Sequence, residues 1–422
     1  MKKITNHRFK ETYFEETLDN GLHVVLWNKP HYEKSFFMMA TPLGALDLHQ
    51  VDENGKLYEF SSGIAHFLEH KMFEKPDHDV MDEFTAMGAN CNAFTSYTET
   101  AYYFSTSEDP QEPLNLLMDF VQELDISEES VEKEKGIIIQ ELEMYQQMSE
   151  SRIINETMSS LFEEHPLKYD IGGDTQSVSH TTKEELERCY ALNYHPSKMI
   201  LVGVSGKDPE VLMEIIRKNQ EKKSFPPVSS VERKPFHEKN EVLKKEHEFK
   251  MDISIPKVNI AFKCAGIEDV ELRNKKEWCF KMLFDMYFSS LNVEYQTWLD
   301  DKIINNSFSY EIDFGKDYGI LMFYSESEQP EVFQETVLKR LNTIENIDDA
   351  ILEQLKRRYF GLSINALTSE RQVAITYMRN YFANLDFFAS IDVIETITKE
   401  DLLKALKEID LDNFAKIVIR PN

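Results

Sequence analysis

The stretch IAHFLEHKMF, residues 64–73, constrains this chain more than any other, because it places His66, Glu69 and His70 within five positions of an otherwise apolar segment. On a helix, residues four apart stack on one face about one turn up, so His66 and His70 can aim two imidazoles at a single point. Glu69 falls beside that face, close enough to take a proton from a metal-held water without being a ligand itself. The H-x-x-E-H order therefore reads as a metal-ligand pair with its own general base.

A catalytic zinc takes three protein ligands and keeps one position open for water. The stretch VEKEKGIIIQELEMYQQ, residues 131–147, offers Glu134 and Glu141 seven residues apart, which is two helical turns and nearly the same face. Glu141, 71 residues after His70, is the expected third ligand. Glu143 is the alternative, disfavoured because it is rotated away from the Glu134 face. Glu134, two turns from Glu141, suits a hydrogen bond that orients a ligand.

With 422 residues the chain exceeds what one core usually organises. The expected division is a zinc-bearing domain over 1–226, a linker over 227–248 rich in Lys, Glu and Pro, and a second domain over 249–422. In the first half LHVVLWNKP, FFMMATPLGA and MILVGVSG read as strands, and AFTSYTETAYYFSTS as a strand pair. Helical patterns run from about Glu112 to Gln147 and from Lys183 to Asn193. The second half repeats this grammar: VNIAFKC, a helical stretch Glu271–Leu299, SFSYEIDF and YGILMFYSES as strands, more helices, and AKIVIRP as the last strand. Two α+β units of similar size and element order suggest duplication. All twelve histidines lie at or before His247, so metal chemistry belongs to the first domain.

A net charge of −28 repels phosphate backbones and anionic lipid headgroups, which argues against nucleic acid and membrane surfaces as partners. MKKITNHRFKETYFEETLDNG carries no apolar run after its lysines, so no secretory leader is expected. Cys91, Cys189, Cys264 and Cys279 lack ligand spacing and read as free thiols of a reducing compartment, with the cytoplasm as the expected location.

The pieces LDNGLHVVL, GIAHFLEHKMFEK, GANCNAFTSYTETAYYF, VEKEKGIIIQELEMY and YHPSKMILVGVSG resemble the insulinase/pitrilysin family of zinc peptidases, in particular its small bacterial members. The resemblance spans most of the first half and rests on element order and NNSFSYEIDF in the second. It implies two similar domains, each a mostly antiparallel sheet with helices packed on one face. It also implies zinc held by His66, His70 and Glu141, with Glu69 as base and Glu134 beside the site. By the same resemblance, Asn92, Ala93, Phe94 and Thr95 begin the edge strand on which a peptide substrate pairs as an extra strand. The paired, chambered architecture of the family implies short or unfolded peptides as substrates.

The chain departs from the family in one respect. Members complete the site with an arginine and a tyrosine seven residues apart in the second domain, which stabilise the oxyanion. Tyr310 stands where the tyrosine would fall, yet no arginine occurs between Arg273 and Arg340, and Asp300 and Asp301 occupy the neighbourhood. Either the enzyme works without that donor, with Lys302 a poor substitute, or a homologous subunit lacking the zinc motif supplies the Arg/Tyr pair. The second is favoured, making this chain the zinc-bearing half of a heterodimer. Two rivals compete: a non-catalytic interaction subunit, and a cysteine hydrolase using Cys189 and His195.

Overall fold

Strands buried on both faces carry apolar residues at successive rather than alternate positions, as VVLW, FFMMA and ILVGV do. In the computed structural model, which describes residues 1–75 and 78–422, these segments form the middle of a seven-stranded sheet. From edge to edge its strands are Lys2–Asn6, Glu11–Thr17, His23–Asn28, Ile200–Ser205, Ser35–Thr41, Thr100–Thr106 and Ala89–Thr95. Neighbours are antiparallel except His23–Asn28 and Ile200–Ser205, which run parallel.

Two compact units divide the chain. The first comprises Met1–Glu143, Asp170–Lys234 and Ile364–Phe382; the second comprises Met144–Tyr169, Pro235–Ser363 and Ala383–Asn422. The second unit holds a five-stranded sheet ordered Glu246–Met251, Phe414–Pro421, Lys257–Cys264, Gly319–Glu326 and Ser309–Phe314, with the first pair parallel and the others antiparallel. The last five strands of the larger sheet repeat this order and these senses. The repeat of element order in the sequence is thus a repeat of topology.

Helices Ile64–Phe73, Gln111–Val121 and Pro209–Gln220 share one core with the first sheet, in which Leu26, Phe37, Met39, Phe67, Leu117 and Met213 are buried. The opposite face is covered too. Helix Glu370–Phe382 packs on Ile200–Ser205 and Ser35–Thr41, with the Tyr377 ring centroid 5.5 Å from Tyr13 and 6.2 Å from Trp27. In the second unit helix Ser149–Leu161 covers the corresponding strands, and Thr157 Oγ1 accepts from Nδ2 of the buried Asn259 at 2.9 Å. Each unit therefore draws one helix from the other half of the sequence, which is why the compact units are not the linear blocks 1–226 and 249–422.

The stretch 227–248 contributes structure of its own. Val231–Arg233 pairs with His49–Asp52 in a three-stranded sheet, and Glu246–Met251 forms the parallel edge of the second. Between them Glu238 accepts from the backbone N–H groups of Glu163, Glu164 and His165. Its Oε1 also accepts from Lys263 Nζ at 2.7 Å, where both side chains are under a tenth exposed. Burial pushes this carboxyl up, but the lysine and the three amides outweigh it and hold the pKa at about 2. A depressed carboxylate pKa stabilises the fold fully above the unfolded value near 4.5, and the gain is lost as pH falls through about 2. Glu238→Gln should therefore cost roughly 2–4 kcal/mol in urea denaturation at pH 7, because it leaves Lys263 charged and poorly paired. The gap to the parent chain should narrow as pH falls from 4.5 toward 2; a constant gap would show that the ionised carboxylate is not its source.

Candidate active site

The helix Ile64–Phe73 begins at Gly63, whose φ of 85° is left-handed and favours glycine. A Cβ at Gly63 would lie 2.2 Å from the Gly172 carbonyl oxygen and one at Gly173 2.4 Å from the Ser62 carbonyl oxygen, so the segment 170–174 fits against the helix start only because Gly63 and Gly173 carry no side chain. Ser62 Oγ donates to Asp174 Oδ2 at 2.9 Å across the same junction. Ile64, Ala65, Phe67, Leu68, Lys71, Met72 and Phe73 are buried, which leaves His66, Glu69 and His70 as the helix residues not fully enclosed. The polar residues of the motif thus share the one partly open face.

Helix Glu128–Gln147 buries only Val131, Glu134, Ile138 and Leu142, a stripe at helical spacing that seats it against the first unit. That seating brings Glu141 to the motif. Its Oε2 lies 3.8 Å from His66 Nε2 and 3.5 Å from His70 Nε2. One ligand atom from each of His66, His70 and Glu141 falls within 4.8 Å of the others. Bonds of about 2.1 Å to a tetrahedral zinc imply ligand separations of about 3.4 Å, so these donors fit the ion with little adjustment. Glu143 is exposed and stands outside this group.

The two imidazoles are held by different means. His70 Nδ1–H donates to Glu134 Oε1 at 3.0 Å, which leaves Nε2 free to ligate. Burial pulls the His70 pKa down, but the Glu134 hydrogen bond and the surrounding carboxylates outweigh it, so the net shift is upward. Glu134 itself is only 8 % exposed; burial pushes its carboxyl up, while His70 and Lys71 bring it below the ordinary value. His66 Nδ1 is buried without a hydrogen-bond partner, and a Cβ at Gly172 would stand 3.4 Å from it. Burial, then the neighbouring His70, lowers the His66 pKa to about 4, keeping this ring neutral as a ligand must be.

Glu69 faces the sheet edge. Its Oε2 accepts from Thr95 Oγ1 at 2.5 Å. Burial raises its pKa against the opposing pull of the Thr95 hydrogen bond, toward the range useful for a base. Thr95 ends the edge strand Ala89–Thr95, whose Asn92, Ala93 and Phe94 pair, among the described residues, on one side only, with Tyr103, Tyr102 and Ala101. Beside this strand an open cleft of about 560 Å³ is lined by Glu69, His70, Phe73, Asn92, Glu134 and Ile137 among others.

Tyr310 lies in the second unit, on its edge strand Ser309–Phe314, and its hydroxyl donates to Asp285 Oδ1. Arg358 Nη1 donates to Asp285 Oδ2 at 2.6 Å and Tyr359 to the same oxygen at 2.8 Å. Arg358 stands 48 residues after Tyr310 and does not restore the seven-residue spacing. Lys302 pairs with Glu328 on the surface. The cysteine alternative loses its chemistry: Cys189 is fully buried, and burial pushes its thiol far up.

The profile described as "Insulinase (Peptidase family M16)" matches residues 53–175, and "Peptidase M16 inactive domain" matches residues 180–359. The zinc protease YmfH of Bacillus subtilis (strain 168) is 33% identical over 97% of this chain and 96% of its own length. This chain belongs to the insulinase family. An M16-like peptidase from Alicyclobacillus acidocaldarius has the same fold, with a TM-score of 0.93 and 30% identity over 98% of this chain and 99% of that one. The beta subunit of the mitochondrial-processing peptidase of Neurospora crassa is 28% identical over 60% of this chain and 52% of that one. The insulinase-family match thus begins upstream of the motif helix and includes His66, Glu69, His70, Glu134 and Glu141. Among the described residues, no helix is long and apolar enough to cross a membrane.

Thr95→Val removes the hydroxyl that stabilises the ionised Glu69. The Glu69 pKa, followed by carboxyl carbon-13 shifts in the metal-free protein, should rise further. An unchanged titration would separate Thr95 from Glu69.

Proposed function

We propose that the chain is a zinc-dependent endopeptidase. The reading is carried by one arrangement: three ligand atoms within 4.8 Å of one another, beside a buried glutamate that is hydrogen-bonded to the free sheet edge. His66, His70 and Glu141 would hold the zinc, which would supply Lewis acidity and make a nearby water more acidic. Glu69 accepts the proton of that water and returns it to the leaving amine. Its raised pKa suits both halves of the task, since a stronger base accepts more readily and its acid still donates. Thr95 holds the carboxylate in place, and Glu134 fixes the His70 ring through its Nδ1–H. The substrate backbone pairs with Asn92–Thr95 as an added strand, which selects extended peptides over folded proteins.

We further propose that the chain is the catalytic half of a heterodimer. Support comes from the missing arginine seven residues before Tyr310, and from a Tyr310 hydroxyl already committed to Asp285. A homologous subunit without the zinc motif would supply the oxyanion donors. The purified chain with zinc should cleave peptides more slowly than the same chain with that subunit; equal rates would remove the partner from the mechanism.

Glu69→Gln should retain about one zinc per chain and lose roughly 10²–10⁴-fold in kcat, whereas His70→Ala should lose both metal and activity. Elemental analysis and peptide turnover read the two effects separately. Activity abolished by 1,10-phenanthroline should return with zinc. Undiminished turnover by a zinc-loaded Gln variant would exclude Glu69 as the base.

A further inference from the structure

The motif helix contains one charged residue that the zinc-peptidase mechanism does not use. Lys71 follows His70 directly and has no exposed side-chain surface. Such an ammonium is tolerated in a core only when paired and hydrogen-bonded. Its partners belong to both helices that bear metal ligands. Nζ donates to the Glu74 carboxylate at the end of its own helix and to the Ser130 carbonyl oxygen at 3.3 Å on the other. It also lies 3.9 Å from Glu134 Oε2, one turn beyond Ser130.

The two oxygens of Glu134 are thereby divided. Oε1 accepts from His70 Nδ1 at 3.0 Å, while Oε2 faces the lysine. A carboxylate turns easily about its terminal torsion, which is broad and roughly two-fold. With a fixed cation on one oxygen, the other is held toward the imidazole, and His70 Nε2 is held toward Glu141. We propose that Lys71 is a positioning residue of the metal site: it locks Glu134 between the two ligand-bearing helices and so orients His70 as a ligand. The proposal rests on the zinc-peptidase reading. A plain structural role, in which Lys71 only neutralises Glu74, makes a different prediction, because it does not pass through Glu134.

The test is a double-mutant cycle on zinc affinity, measured on the full chain by competition with a chromogenic chelator, with thermal unfolding of each metal-free variant recorded alongside. Lys71→Met keeps length and removes charge. It should weaken zinc binding about tenfold, within the range typical for removal of an outer partner of a metal-ligating histidine. Glu134→Gln should weaken binding at least as much. In the Glu134→Gln background, Lys71→Met should add less than about a threefold further loss, since the path is already cut. Unchanged zinc affinity in a folded Lys71→Met chain would overturn the proposal, as would losses that multiply in the double variant. Lys71→Gln, which keeps a donor for Ser130, serves the same cycle if the Met variant does not fold. Failure of both to fold would show the lysine to be structural and overturn the proposal. A parent chain that binds no zinc would instead fell the functional reading, and this inference with it.

Discussion

The site depends on how completely one short helix is buried. Of the ten residues from Ile64 to Phe73, the three that are not fully enclosed are His66, Glu69 and His70. Apolar packing on the other sides fixes the helix rotation, and rotation decides whether both imidazoles face Glu141 or turn into the core. The close backbone contacts among Gly63, Gly172 and Gly173 set its starting point, and the buried stripe of Glu128–Gln147 sets the approach of Glu141. The chemistry is local, but its geometry is inherited from packing around it. A helix free to rotate by a few tens of degrees would keep the same motif and lose the convergence.

Within that frame the two histidines are chemically unequal. His70 is held by a carboxylate and biased toward protonation, whereas His66 is held by apolar burial and biased against it. One ring owes its tautomer to a hydrogen bond. The other owes its neutrality to burial and to the neighbouring His70, and its Nδ1 has no hydrogen-bond partner among the described residues.

Much of this was legible in the sequence, and the reason is spacing. H-x-x-E-H and the seven-residue step from Glu134 to Glu141 are local patterns, and helical geometry converts them directly into shared faces. The strands were legible as apolar runs for the same reason. Hidden features depend on which distant surface an element meets. Helices Ser149–Leu161 and Glu370–Phe382 are amphipathic like many others, and an apolar face does not state which sheet it will cover. The doubly buried strands Ser35–Thr41 and Lys257–Cys264 signal that a second cover is needed, without naming it. Lys71 was visible as one lysine in an apolar run, yet its partners Ser130 and Glu134 emerge only once the two helices are packed.

The second unit shows what becomes of the same framework without a metal motif. Helix Val270–Phe288, edge strand Ser309–Phe314 and helix Asp349–Ala366 follow one another as Ile64–Phe73, Ala89–Thr95 and Glu128–Gln147 do in the first. Each contributes one side of a polar cluster: Asp285 from the first helix, Tyr310 from the strand, Arg358 and Tyr359 from the second helix. Where the first unit gathers imidazoles and carboxylates with lone pairs to offer, the second gathers donors around one buried carboxylate. Asp285 accepts from three of them, so its acceptor capacity is largely spent within the protein. A buried polar junction between two helices and a strand has to be satisfied in some way. In the first unit His66, His70 and Glu141 leave such a junction open to an ion, and in the second the side chains complete it among themselves.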